Sequence, residues 1–169
     1  MRARPVVIAL GLVILAVVLQ TTIFAPGRIQ PFGAAPNLVL LVVIGCARYL
    51  DPEPSLLVGF TGGLLVDLLS SSPLGLWAMV LTAVTFVALK VRSRAADGPF
   101  IIAVGVFALT LLGQVLFVFV GTLFGQKTIE DPQVVRKLVL PAIYNVILAA
   151  PVLWAIRAAL RPSQRIWAQ

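Results

Sequence analysis

Asp67 is the residue of this sequence whose chemistry most needs an explanation. It stands in the segment Ser55 to Leu69, S-L-L-V-G-F-T-G-G-L-L-V-D-L-L, and no other acid lies inside such an apolar stretch. A carboxylate within a membrane helix costs about 2.5–3.5 kcal/mol on insertion scales, so it is a functional-site hypothesis by default. Asp67 could bind a proton or a cation, or it could anchor a cation of a partner protein.

A structural role for Asp67 is the alternative that we favour. The residue is predicted to lie in the last turn of one helix, and Ser70-Ser71-Ser72-Pro73 forms the turn to the next. The first N–H groups of a helix lack internal partners and carry partial positive charge, so a nearby carboxylate would cap them. Ser72 is a suitable N-cap, and Pro73 is a suitable first residue because its missing N–H would be unpaired there.

Small residues share a helical stripe with Asp67. At about 100° per residue, positions four apart stay on one face, so Ser55, Gly59, Gly63 and Asp67 are predicted to lie together. Gly59 and Gly63 form a G-x-x-x-G pair, which lets membrane helices approach closely, and Gly62 adds to the cluster. No Lys-Ser/Thr follows the glycines, so a phosphate loop is excluded. The stripe predicts close packing inside the protein or, as the alternative, a dimer or partner face.

Composition places these residues in a membrane protein. Of 169 residues, 60% are hydrophobic and 11% are charged, with a mean hydropathy of +1.07. A soluble domain has about 25% charged residues. The apolar run from Pro5 to Phe24 is long for the hydrophobic region of a signal peptide, so we expect a retained first helix.

Six spans are predicted in one all-α transmembrane domain, 1–169, and they form a six-helix bundle. Their bounds are 5–24, 37–50, 55–69, 73–90, 99–124 and 138–156. The second is short for a bilayer, so it extends further or the protein shields its ends. The last contains Pro141, Tyr144, Asn145 and Pro151, which predicts a kinked or locally unwound helix. Six polar residues of the spans could share one interior: Gln20, Thr21, Thr22, Asp67, Gln114 and Asn145.

Basic residues predict the orientation of the bundle, because cytoplasmic loops carry an excess of Lys and Arg. With the N-terminus inside, nine of the thirteen basic residues fall on the cytoplasmic side and four on the outer side. The inner set is Arg2, Arg4, Arg48, Lys90, Arg92, Arg94, Arg157, Arg161 and Arg165, and the outer set is Arg28, Lys127, Arg136 and Lys137. Both termini are therefore predicted in the cytoplasm, with the basic side near anionic lipid headgroups.

Several classes of function are disfavoured. The basic residues are spread over four short inner segments with no folded domain beside them, which disfavours nucleic-acid binding. The chain has no His and a single cysteine, Cys46, so it lacks the commonest metal ligand and any internal disulfide. We find no metalloprotease, G-x-S-x-G or paired-aspartate signature, and no catalytic pairing among Ser, Asp and Lys. We therefore expect no enzyme activity and no cofactor.

The string from Gly59 to Ala78, G-F-T-G-G-L-L-V-D-L-L-S-S-S-P-L-G-L-W-A, resembles the signature of the rod shape-determining MreD family. Three weaker features agree: Leu19-Gln20-Thr21-Thr22, Pro36-Asn37-Leu38, and the last-helix pattern from Pro141 to Pro151. Asn37 departs from the Asp expected after the proline. The candidate positions for partner binding or helix packing are Gly59, Gly62, Gly63, Asp67, Pro73, Gly75, Gln20, Pro141, Tyr144 and Asn145.

The resemblance implies a non-enzymatic scaffold of the cell-wall elongation machinery in the bacterial inner membrane. Such proteins act with MreC and, through it, with MreB, RodA and a class B penicillin-binding protein; a homo-oligomer is possible. The family's helical arrangement is thought to resemble the S components of energy-coupling-factor transporters. The alternative function is therefore the substrate-binding subunit of a vitamin-type transporter, and an integral-membrane enzyme is a weaker third.

Overall fold

The computed structural model describes residues 3–24, 33–70, 72–92, 98–126 and 132–160, and these form six α-helices without a β-strand. The helices are α1 (Ala3–Ile23), α2 (Leu38–Ala47), α3 (Pro52–Leu69), α4 (Leu76–Arg92), α5 (Pro99–Leu123) and α6 (Val134–Leu160). The predicted all-α class is confirmed. Parts of the predicted loops, Ser71 and the tail after 160 lie outside the described residues. So do six of the basic residues: Arg2, Arg28, Arg94, Lys127, Arg161 and Arg165.

Four of the predicted helices need corrected bounds. α2 ends at Ala47 rather than 50. α3 begins at Pro52 rather than 55, because prolines are tolerated in a first turn where no N–H bond is needed. α4 begins at Leu76 rather than 73. α6 runs from Val134 to Leu160 rather than 138–156, and it passes through Pro141 and Pro151 without a break. Of the two predicted alternatives, local unwinding is wrong, since a packed membrane helix can absorb a proline, and a kink stays a prediction.

The other five helices form a ring around α2. Contacts join α1 to α3, α3 to α4, α4 to α5, α5 to α6, and α6 back to α1, while α2 packs against all five. Trp77 of α4 stacks on Phe117 of α5 with ring centroids 4.4 Å apart, which joins two members of the ring. The ring buries the centre of the molecule and turns its own outer faces to the surroundings.

The sequence of α2 explains its central position. L-V-L-L-V-V-I-G-C-A is apolar on every side, and nine of its ten residues are buried. A helix that is apolar all round is stable only when it is surrounded. Ten residues make a helix of about 15 Å, half of the roughly 30 Å hydrocarbon core. Of the two predicted explanations for its shortness, shielding by the protein is therefore confirmed for α2.

Helix length and hydropathy differ around the ring. Three segments are long and apolar enough to cross a membrane: Arg4–Ile23, Pro99–Leu123 and Val134–Leu160. α3 has 18 residues and α4 has 17, so both are shorter than these three segments. These two helices make extensive mutual contact, and they contribute the glycine stripe and Asp67.

Candidate functional site

Both carboxylate oxygens of Asp67 accept hydrogen bonds from the start of α4 and the turn before it. Oδ1 accepts from the Trp77 backbone N–H at 3.0 Å and from the Ser72 hydroxyl at 3.2 Å. Oδ2 accepts from the backbone N–H groups of Gly75 at 3.0 Å and Ala78 at 3.1 Å. Asp67 is only 2% exposed. These donors therefore replace the water that the carboxylate has lost, and hydrogen bonds to a charged acceptor are the strong ones.

The cap of α4 thus comes from α3. Trp77 and Ala78 are the second and third residues of α4, and their N–H groups have no acceptor within the helix. Gly75, immediately before the helix, has a φ of +93° and no side chain that could cap. Asp67 performs the function of an N-cap side chain from the neighbouring helix, and its negative charge faces the positive end of the α4 dipole.

Ser72 does not cap a helix beginning at Pro73, so that prediction is wrong. The Pro73 carbonyl accepts from the Leu76 N–H at 3.2 Å, which closes a turn. Gly75 follows in the left-handed region, and a right-handed helix cannot continue through such a residue. The Ser72 hydroxyl donates to Asp67 instead. Sequence placed the acid near α4 correctly but placed the start of α4 three residues too early.

Gly59 and Gly63 bring α3 into close contact with α4. A Cβ atom at Gly63 would meet the Ala78 backbone, including its nitrogen at 2.6 Å. At Gly59 a Cβ would meet the Thr85 hydroxyl and would lie 3.2 Å from the Leu81 carbonyl oxygen. Glycine removes these collisions, as in other close helix pairs. These contacts join two helices of the same chain, which is what internal packing of the stripe predicts.

Gly62 allows α1 and α2 to pack closely against the neighbouring faces of α3. A Cβ there would lie 2.9 Å from Val13 of α1 and 3.5 Å from Val43 of α2. Ser55, at the start of the stripe, is also buried, and its hydroxyl donates to the Asp51 carbonyl at 2.8 Å. The glycine cluster therefore lets three helices approach α3 at once.

A second polar network surrounds the N-terminal end of α2. Asn37 is its N-cap and accepts from the Leu40 N–H through Oδ1 at 3.1 Å. Gln20 of α1 accepts from the Val39 N–H through Oε1 at 3.2 Å. Two of the first N–H groups of α2 are thus paired by side chains, as a buried helix end requires.

Asn145 of α6 holds the same helix end through its amide nitrogen. Nδ2 donates to the Asn37 carbonyl at 3.0 Å and to the Thr110 hydroxyl of α5 at 3.3 Å. Asn145 and Thr110 are both 0% exposed, and they lie near the middle of α6 and α5. The N-terminus of α2 therefore lies at mid-depth of those two helices.

The C-terminal end of α2 has a cation. Arg92, the last residue of α4, donates through Nη1 to the carbonyl oxygens of Ala47 at 2.7 Å and Leu50 at 2.9 Å. The last carbonyls of a helix lack internal donors and carry partial negative charge, so a guanidinium there is stabilising. Side chains of other helices therefore hold both ends of the central helix.

The polar residues that the sequence grouped together do not form a single network. Gln20 and Asn145 meet at the end of α2, whereas Asp67 belongs to the α3–α4 contact. The bonds of Asp67 and those of Gln20 and Asn145 have no residue in common. The Thr21 hydroxyl donates to the Val17 carbonyl of its own helix at 2.9 Å, as Thr often does in membrane helices.

The remaining predicted positions differ in how deeply they are buried. Pro141 is buried in α6, Tyr144 is half-buried one position before Asn145, and Pro73 is half-buried in the turn before α4. In the sequence, Asn37 stands out only as a departure from the family pattern, although a polar residue before an apolar run is also an N-cap signal. Thr110 could not be predicted, since one Thr in an apolar helix carries no signal.

The arrangement can hold helices together, and the side-chain oxygens of Asp67, Asn37 and Gln20 accept from the chain's own donors. Across the described segments, no group of three or more His, Cys, Asp or Glu residues is placed to hold a metal ion. Asp67 has N–H or O–H donors on both oxygens. A carboxylate in such surroundings acts as an acceptor for backbone groups and stabilises their conformation.

Comparison with protein families gives one match. Residues 2–158 match the family described as rod shape-determining protein MreD. No curated protein and no solved structure matches the chain. The likeness to energy-coupling-factor S components stays a prediction. Because the family match extends over nearly all of the 169 residues, the chain belongs to the rod shape-determining protein MreD family.

Proposed function

We propose that this protein is a non-enzymatic, multi-pass scaffold of bacterial wall elongation that binds the membrane helix of an MreC-like protein. Membership of the family gives it a role in rod shape determination and a place in the membrane. Through MreC the scaffold would be connected to MreB, RodA and a class B penicillin-binding protein. Six spans, cytoplasmic termini and anionic lipid headgroups at the basic inner side complete the proposal.

The scaffold proposal rests mainly on the hydrogen bonding of Asp67 within the protein. This residue is the one acid deep in an apolar segment, and the N–H and hydroxyl groups around it use both of its oxygens. A carrier would need such an acid to exchange a proton, a cation or a substrate. A scaffold needs a rigid bundle, and Asp67 joins two of the helices of this one.

The outer surface of the ring supplies apolar area for lipid or for a partner helix. Large apolar side chains are exposed on α1, α5 and α6. They include Val7, Ile14 and Leu15, then Phe100, Val104 and Phe119, then Ile143, Ile147 and Trp154. A single membrane helix packs against such faces through van der Waals contact, and these faces suit the membrane helix of MreC.

The transporter alternative requires a different use of the polar residues. A substrate-binding subunit needs polar side chains that are available to a ligand around an outward cavity. Gln20 and Asn37 accept hydrogen bonds from the backbone of α2. Their use inside the protein favours the scaffold.

Purification of the tagged protein from native membranes in native lipid tests the proposal. We expect an MreC-like protein to purify with it, and an unrelated multi-pass protein with the same tag to recover none. Depletion of the protein should widen or round a rod-shaped cell while peptidoglycan precursors remain available. Repeated failure to recover MreC, with both proteins expressed normally, would overturn the partner assignment.

A vitamin-uptake measurement on the same depleted cells separates the two functions. The scaffold predicts unchanged uptake and a shape defect that added vitamins do not correct. Lost uptake together with a shape defect that vitamins correct would favour the transporter.

A further inference from the structure

The side chains of Asn145 and Thr110 leave two complementary hydrogen-bonding groups unmatched in the interior. Asn145 Oδ1 is buried and has no hydrogen-bond partner among the residues that the structure describes. Both protons of its amide nitrogen are used, one by the Asn37 carbonyl and the other by the Thr110 hydroxyl oxygen. One strong acceptor therefore faces the interior without a donor.

Thr110 is the converse case, because its hydroxyl oxygen is paired and its hydroxyl proton is not. Its hydroxyl oxygen accepts from Asn145, and among the described residues its proton is not seen to donate to any acceptor. Thr82, Thr85 and Thr122 behave differently, because each donates to the carbonyl four residues earlier, at 2.6, 2.6 and 2.8 Å. An unmatched O–H donor thus lies beside the unmatched Oδ1 acceptor.

Reversing the Asn145 amide would not correct both deficits. The Thr110 hydroxyl could then donate to Oδ1, but Nδ2 would lose the Asn37 carbonyl, which lies 3.0 Å away. That carbonyl would then face Oδ1, and two acceptors repel each other. The amide orientation is therefore determined by Asn37, and the two unmatched groups require a third molecule.

The chemistry of the two groups selects the ligand. A cation would suit Oδ1 but not the Thr110 proton, and it would lie beside the partially positive end of α2. An anion would suit the proton but not Oδ1. A water molecule accepts from one group and donates to the other, and buried waters typically pair groups of this kind.

We propose that one buried water bridges the Thr110 hydroxyl and Asn145 Oδ1, at mid-depth of the bundle beside the N-terminus of α2. The water completes the network that joins α2, α5 and α6. This site goes beyond the scaffold function and does not depend on it.

Water-to-protein magnetisation transfer in solid-state NMR tests this site, with ¹⁵N-labelled protein in bilayers of deuterated lipid. We expect transfer from water to the Asn145 side-chain amide at short mixing times. The backbone N–H of Val84, which is 0% exposed in the core, should receive none. Absence of transfer to Asn145 in the wild-type protein would overturn the proposal.

Three variants identify the bridge. Thr110→Val removes the hydroxyl while keeping the shape, and it should abolish the transfer to Asn145. Thr110→Ser keeps a hydroxyl and should retain the transfer. Thr85→Val is the matched control, because that hydroxyl is already bonded to Leu81, and it too should retain the transfer. Undiminished transfer in a folded Thr110→Val would refute the bridge, and if that variant does not fold, loss of transfer in Thr110→Ser would do so.

Discussion

Asp67 belongs to α3 but stabilises the start of α4, and its substitution should show this directly. Asp67→Leu leaves the N–H groups of Trp77 and Ala78 without acceptors, at a cost of about 1–3 kcal/mol for each unpaired group. Asp67→Asn keeps one accepting oxygen but places an NH₂ donor against N–H donors. We therefore expect unfolding temperatures in the order wild type, Asn, Leu, measured by thermal unfolding in one detergent.

Ser72→Ala is the matched control for Asp67. It removes one of four donors to the same carboxylate, a loss of about 1.5–3 kcal/mol for a bond to a charged group, and it should cost less than Asp67→Leu, which unpairs three backbone N–H groups. If Asp67→Leu unfolds at the wild-type temperature, the cap contributes nothing. If both Asp67 variants fold normally and lose MreC on co-purification, the acid contacts a cation of the partner instead.

At the scale of the elements, the α3–α4 contact depends on Gly63 having no side chain. Gly63→Ala would place a methyl group against the backbone of Ala78, and backbone can move only if the helices separate. Overpacking of this kind costs about 1–3 kcal/mol, and Gly63→Leu should cost more. The measurement is the folded fraction recovered by size exclusion, together with the unfolding temperature.

Gly105→Ala on α5 is the matched control for the contact, since nothing lies within 4 Å of a Cβ at that glycine. It should leave the folded fraction unchanged or raise it, because Ala is the better helix former. Gly59→Ala should be intermediate, since its nearest neighbour is the side chain of Thr85. Equal behaviour of Gly63→Ala and Gly105→Ala would show that the contact is not tight.

At the scale of the whole molecule, the distribution of basic residues predicts the orientation. The loops Ala25–Pro36 and Gly125–Asp131 should lie outside and the start of α3 inside. Phe124→Cys, at the exposed C-terminal end of α5, is predicted to lie outside and should react with a membrane-impermeant maleimide added to intact spheroplasts. Glu53→Cys, at the exposed start of α3, should react only after the membrane is opened.

The single native cysteine makes this topology measurement clean. Cys46 is 0% exposed within α2, so the wild-type protein should give little background labelling. Reaction of Glu53→Cys in intact spheroplasts, with protection of Phe124→Cys, would reverse the orientation. Reaction of both from the same side would contradict the predicted number of crossings.

Composition and local pattern were sufficient for the helical membrane class, the breaks near Pro36 and Pro52, and the position of Asp67 near the next helix. These properties depend on residues close together in the chain, such as the apolar run of α2 and the prolines that precede α3. The MreD resemblance followed from the segment Gly59–Ala78 for the same reason. Helix starts were less certain, and the wrong start of α4 arose because Gly75 adopts a left-handed conformation.

Only the tertiary structure determined which helix lies at the centre and which groups pair. Asn145 donates to Asn37 across 108 positions of the chain, and Arg92 reaches Ala47 across 45. No local pattern encodes such pairs, because they form only when five helices close around α2. The sequence indicated that a buried carboxylate, amide or helix end needs a partner, and the packing of the helices decided which partner each one has.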